Sequence, residues 1–166
     1  MYSPKNIVRL IFCVCLFSST CAYAAIETLM QIPGIQGEYI GAGYKDWIAL
    51  NSYSGTFEAG RCEGIEIEKK LDSASAQILS AATSRNVFPK VSIVFRESGL
   101  GNIVRQRITL LNVTVNRVST SVSEGDASAA EALALGVGGI KLEVFSQGKD
   151  GTYSPAGVAD VNCGKY

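Results

Sequence analysis

No histidine occurs anywhere in the chain. That gap removes Ser–His and Cys–His nucleophile pairs and every imidazole-ligated metal site. Proline is scarce, and no segment has the composition of a long disordered tract. No run of Lys or Arg exceeds two residues, and acids and bases balance at 15 each. The electrostatic footprint of a nucleic-acid or anionic-membrane binder is therefore missing.

The carboxylates that remain do not fill the chemical gap. Glu66 and Glu68 alternate with isoleucines, the pattern of a solvated strand face, where nothing would raise one carboxyl selectively for acid/base work. Glu124 and Asp126 sit in an acidic loop without the ligand-every-second-residue density of a calcium site. The glycine-rich stretch at Gly136, Gly138 and Gly139 lacks the lysine and the strand-to-helix setting of a phosphate cradle. The acceptor pattern at Asn112, Val113 and Thr114 falls inside an expected strand, which argues against its glycosylation. The chain reads as a non-enzyme with no catalytic residues, no metal and no cofactor.

The first residues carry Lys5 and Arg9 and no acid, then an apolar run, then small residues around Tyr23. That order is the signature of a secretory signal peptide, with Ala22 and Ala24 fitting the peptidase pockets and cleavage falling between Ala24 and Ala25. The run is shorter than the roughly 20 apolar residues of a membrane span, and Ser18 and Thr20 argue against a lipid-modified Cys21. The expected organisation is a signal peptide over 1–24 and one domain over 25–166. Without Lys5 and Arg9 the mature domain keeps 13 bases against 15 acids, and no membrane attachment is expected after cleavage. Cys62 and Cys163 are the only cysteines outside the leader, an even pair in a chain bound for an oxidising compartment, and a disulfide between them is expected. It would close a loop of about 100 residues and stabilise by up to roughly 4 to 5 kcal/mol in the chain-entropy model.

Two-residue periodicity dominates the rest. Ile65 and Ile67 alternate with charges; Val91, Ile93 and Phe95 alternate with Ser92, Val94 and Arg96; Leu111, Val113 and Val115 alternate with polar residues. Leu133, Leu135 and Val137 form a row that continues as Ile140, Leu142 and Val144 after a slip at Gly138 and Gly139, where a β-bulge is expected. Residues 28–32 and 47–57 read as further strands and 158–162 as a short last one. Alanine-rich residues 72–83 break the pattern as a single short helix, capped by Ser73 or Asp72 and stopped by Asn86 and Pro89. Residues 41–43, 97–102, 119–128 and 147–155 read as turns or loops.

On these residues the sequence resembles the Hcp (haemolysin-coregulated protein) family, the inner-tube subunit of bacterial type VI secretion systems. Ile32, Gly34, Ile35, Gly37 and Glu38 are similar to the family's opening I-x-G-I-x-G-E, and Asp46, Trp47, Ile48 and Leu50 to its second strand. Ile65, Ile67, Lys69, Leu71 and Asp72, running through the helix to Pro89 and Ile93, resemble its strand, K-x-x-D turn, helix and following strand. Ile108 to Ser119 and Leu133 to Val144 resemble the two long strands, so the likeness spans roughly residues 28–145.

The resemblance implies a mainly β fold, a single β-barrel with one short flanking helix. It further implies six copies closing into a hexameric ring through edge-strand contacts, with effector or other secretion-system proteins as partners. The family's long loop after the second strand, the arm reaching toward the next ring, is cut down here to residues 55–61. The leader is the second departure, because a subunit already exported cannot load a cytoplasmic sheath. The combined expectation is an exported, ring-forming, protein-binding barrel, periplasmic or secreted, and cytoplasmic only if the leader does not function. The alternatives are a monomeric periplasmic binding or inhibitor module on the same barrel, and a small outer-membrane barrel, against which the helix and the few aromatics speak.

Overall fold

A computed structural model of the chain describes residues 25–58, 61–98, 103–125 and 128–164. Its elements are β1 (Ile26–Gln31), β2 (Ile48–Glu58), β3 (Arg61–Lys70), α1 (Ser75–Thr83), β4 (Val87–Glu97), β5 (Val104–Ser121), β6 (Ala130–Gly136), β7 (Gly139–Gln147) and β8 (Tyr153–Asn162). All pairings between them are antiparallel, in the order β4-β1-β2-β3-β6-β5-β7-β8, and a further β4–β5 pairing closes the sheet on itself. The architecture is the mainly β barrel with one helix that the resemblance implies, built from the strands that the alternation predicts. Met30, Ile48, Ile65, Ile67, Ile93, Leu110 and Leu133 fill its interior, each contributing about 1.5–3 kcal/mol by leaving water.

The slip at Gly138 and Gly139 has a different cause from the expected bulge. β6 and β7 lie end to end along one edge of β5, with Thr114 opposite Gly136 and Leu111 opposite Gly139, so no residue is inserted between them. Instead the neighbouring strands switch faces at the same level. On β5 the buried residues pass from Ile108 and Leu110 to Val113 and Val115, and on β4 from Phe88 to Val91 and Ile93. The switch runs through Pro89, Asn112 and Gly138. Asn112 holds φ 50°, a left-handed conformation that asparagine tolerates better than most residues. The Gly138 amide donates to the Leu111 carbonyl at 2.8 Å, while a Cβ on Gly138 would stand 3.1 Å from that of Asn112. The actual bulge in this strand pair is at Asn116, where the register shifts between Val115 and Arg117.

Other boundaries move for identifiable reasons. The helix starts three residues late: Asp72 Oδ1 accepts from the Ala74 amide, the Ser73 amide is taken by Glu38, and neither side chain caps the helix. It ends on a left-handed Arg85 (φ 53°), with Arg85 and Asn86 amides donating back to the Ala82 and Ala81 carbonyls, a Schellman closure without glycine. Pro89 therefore does not stop the helix; it lies within β4. Residues 55–61, read as what is left of the family's arm, are mostly strand, since β2 runs to Glu58 and β3 begins at Arg61. β8 begins at Tyr153, five residues earlier than expected.

Candidate functional site

The residues of the I-x-G-I-x-G-E pattern each have a steric or hydrogen-bonding task. Ile32 and Ile35 bridge each other across a tight turn and enter the core, and Gly34 supplies its φ of 82°. Gly37 packs directly on the backbone of Trp47 and Ile48, and an added Cβ would run into the Trp47 carbonyl oxygen. Residues 37–47 thereby fold over the outside of the barrel. Leu29 and Val94, cross-strand partners on β1 and β4, are both 1% exposed yet outside the interior cluster. Val94 and Arg96 fall out of step with the inward residues of β4, and Arg96 is covered by Tyr39 and Tyr44 of this strap.

Arg96 is the polar centre of that outer layer, at 5% exposure. Its guanidinium carbon stands 5.2 Å from the Tyr44 ring centre and 5.9 Å from that of Tyr39, and Tyr44 meets Trp47 edge-on at 4.9 Å. Nε is 3.2 Å from Glu27 Oε2, close enough for an ion pair, but Nε and Nη1 make no aligned hydrogen bond. Attraction to the two ring faces, worth up to about 2 kcal/mol when desolvated, compensates in part. Glu27 also accepts from the Tyr39 hydroxyl at 2.8 Å. Burial, followed by that hydrogen bond, raises the Tyr39 pKa, with Arg96 pulling the other way.

A second buried cluster joins β3, β6 and the helix start. Lys69, fully buried, places Nζ 2.9 Å from Glu131 Oε2, 2.8 Å from Asp72 Oδ1, 2.9 Å from Ser75 Oγ and 2.8 Å from the Lys70 carbonyl. Ser75 Oγ in turn bonds Glu131 at 2.9 Å. Lys69 and Asp72 are the K-x-x-D pair of the sequence, so this motif is a buried electrostatic joint between sheet and helix. Sequence parity carried the signal: Lys69 falls in step with Ile65 and Ile67, on the apolar side.

The expected pair Cys62 and Cys163 is joined as a disulfide, with Cα atoms 5.1 Å apart. Along one edge of the β6–β7 line the β3 ladder ends with Ile65 opposite Leu135 and the β8 ladder with Asn162 opposite Gly139, and the Cys163 amide donates to the Gly138 carbonyl at 3.1 Å. Ala25 carries a carbonyl held by the Ser98 amide at 2.8 Å and by Ser98 Oγ at 2.9 Å; Ala24 lies outside the described residues. Glu66 and Glu68 are exposed, the first paired with Arg117 at 2.8 Å and the second accepting from Ser52 at 3.1 Å. Glu124 is exposed, and Asp126 lies outside the described residues. Among the described residues no three His, Cys, Asp or Glu side chains come together as metal ligands. A cleft of about 420 Å³ between residues 38–40 and 70–72 is lined by Ile40, Leu71, Glu38 and Lys70, among others.

Sequence periodicity did not point to the unpaired backbone edges. β1 pairs with β2 only at Ile48, Ala49 and Leu50, which leaves the same edge of β2 open over residues 51–58 among the described residues. β8 is the outermost strand, and residues 154–162 are exposed on both faces. Val158 and Val161 stand on it at 55% and 41% exposure.

Among the described residues the chain forms a closed antiparallel β-barrel with one flanking helix and two open strand edges. The family model described as "Type VI secretion system effector, Hcp" matches residues 29–144, and the chain belongs to that family. Among solved structures it is similar to Hcp1 from Salmonella typhimurium, with 23% identity, a TM-score of 0.72, and coverage of 82% of this chain and 92% of that one. It is similar also to a type VI secretion system effector from Yersinia pestis, with 18% identity, a TM-score of 0.70, and coverage of 81% and 98%. A third likeness is to a structure described as a type six secretion system protein, with 18% identity, a TM-score of 0.75, and coverage of 83% and 96%. At these identities the likeness is one of fold. None of the curated proteins matches the chain.

Proposed function

We propose that the chain is a non-enzymatic, ring-forming Hcp protein, exported by its leader and cut between Ala24 and Ala25, that works by binding effector or other secretion-system proteins. The observation that carries this reading is the pair of open edges, β2 over residues 51–58 and the outer side of β8, on a barrel that is otherwise closed. Two different edges on one chain suit a head-to-tail contact, which closes into a ring when the rotation allows it. An exposed, nearly uncharged edge strand is also one that a soluble protein covers. Processing before Ala25 leaves β1 and its Ser98 clasp intact. The tight β2–β3 hairpin, with strand up to Glu58 and from Arg61, leaves little arm to reach another ring, so rings without long tubes are expected.

The test is the mass of the mature protein by size-exclusion chromatography with light scattering. A ring gives about six times the monomer mass, and a monomer at high concentration overturns it in favour of a stand-alone binding module. The N-terminus recovered from cell fractions tests export: Ala25 in the periplasm supports it, and an intact Met1 in the cytoplasm overturns it.

A further inference from the structure

We infer that the Cys62–Cys163 disulfide is a redox latch on β8, which holds the C-terminal strand in place when oxidised and frees it when reduced. Residues 154–162 are exposed, so β8 gains almost nothing from burial. Its ladder to β7, from Asn162 opposite Gly139 to Tyr153 opposite Gln147, is its only strand pairing among the described residues. Its register is also broken between Val144 and Phe145, next to Pro155. The buried anchor comes one residue after the strand: Cys163 is 6% exposed, belongs to the interior cluster, and is bonded to the 1% exposed Cys62.

Both ends of β8 are thus tied in the oxidised protein. One end is held by the turn over residues 148–152, where the Gly148 amide donates to the Thr152 carbonyl at 2.8 Å, and the other by the sulfur bridge. Opening can then occur only as a closed loop. Without the bridge the strand peels from its end, as weakly buried segments do. A closed loop of about 15 residues corresponds to a restraint on the order of 100-fold in the opening equilibrium.

The chemistry is ordinary thiol–disulfide exchange. A dithiol reductant attacks one sulfur as thiolate, forming a mixed disulfide, and its second thiol resolves that bond. Two electrons and two protons end on Cys62 and Cys163, and the reductant leaves as a cyclic disulfide. Because both cysteines are buried, reduction in the folded protein waits on a local opening of the chain around Cys163, beside exposed Gly164. The latch stands independently of ring formation. Its consequence for assembly rests on the ring reading, since β8 offers one of the two edges used there: oxidation after export then becomes a condition for docking.

The experiment compares hydrogen–deuterium exchange in three samples of the mature protein, diluted until monomeric: oxidised, reduced with dithiothreitol, and Cys163→Ser. The expected result is about 100-fold faster exchange across residues 153–162 in the second and third samples, over and above any uniform rise that loss of the long-loop restraint produces in β4 and β5. Unchanged exchange in β8 overturns the latch. So does an equal loss of protection throughout the barrel, which would make the bond a staple of the whole fold. Light scattering at high concentration separates the two proposals. A multimer when oxidised and a monomer when reduced supports the link; a monomer in both states with selective release of β8 overturns the ring but leaves the latch standing. A multimer that persists with β8 released overturns the link between them.

Discussion

Replacing Lys69 by Met should be among the most damaging single changes in the barrel. Methionine retains a long apolar stem in the space between β3, β6 and α1 but removes the ammonium group. Glu131, 2% exposed, is then left with Ser75 as its remaining neutral partner, while Asp72 keeps the Ala74 amide. Stranding one member of a buried ion pair costs about 3–5 kcal/mol. For a domain of this size that is a fall of roughly 10 °C or more in Tm. The double variant Lys69→Met, Glu131→Leu removes the more deeply buried pair and should recover about half or more of that loss, the remainder being Asp72, left without its cation but still bonded to the Ala74 amide. Urea unfolding of the oxidised proteins, followed by circular dichroism, reads both values. If Lys69→Met costs less than about 1 kcal/mol, or if the double variant is no better than the single, the cluster is not the electrostatic joint described above.

Tyr53→Phe should stabilise the protein by about 1 kcal/mol at pH 8, because the Tyr53 hydroxyl is buried without a hydrogen-bond partner beside Phe95; a loss of stability in urea unfolding would reveal a missing partner. The same change has a pH signature. Burial pushes the Tyr53 pKa up to about 12, whereas an unfolded tyrosine titrates near 10. The folded state's advantage is therefore whole below about pH 10 and is lost as pH rises through about 12, so the phenylalanine variant should lose less stability between pH 9 and 11. Gly37→Ala should cost about 1–3 kcal/mol through overlap with the backbone of Trp47 and Ile48. Trp47 is the single tryptophan, so its emission should shift to the red as the strap lifts; an unshifted spectrum would mean that the strap tolerates the methyl group.

The strands were legible because alternation is a direct image of a sheet with one buried face: Ile65 and Ile67, Val91 and Ile93, Val113 and Val115, and Leu133 and Leu135 all point inward as their parity requires. Closure came only from the resemblance. The cysteine pair was legible by elimination once residues 1–24 are read as a leader. Arg96 was not, because its burial comes from residues 37–47 crossing the outer face, a tertiary event that two-residue periodicity does not encode. Lys69 was partly legible, since its parity is apolar, but a lysine at such a step reads first as an edge of the pattern. β8 was cut short because Tyr153, Ser154 and Pro155 carry turn-like composition. In an exposed outer strand, backbone pairing to β7 alone sets the boundary.

The shared change of face at Pro89, Asn112 and Gly138 has a genetic consequence. It works like a reading-frame slip written into adjacent strands at once, each compensating the others. Losing a single codon near Asn112 would turn one half of β5 inside out while its neighbours kept their orientation, presenting oily residues to water along a whole seam. Length changes in this part of the chain should therefore survive only at the hairpin tips, or when matched across the seam.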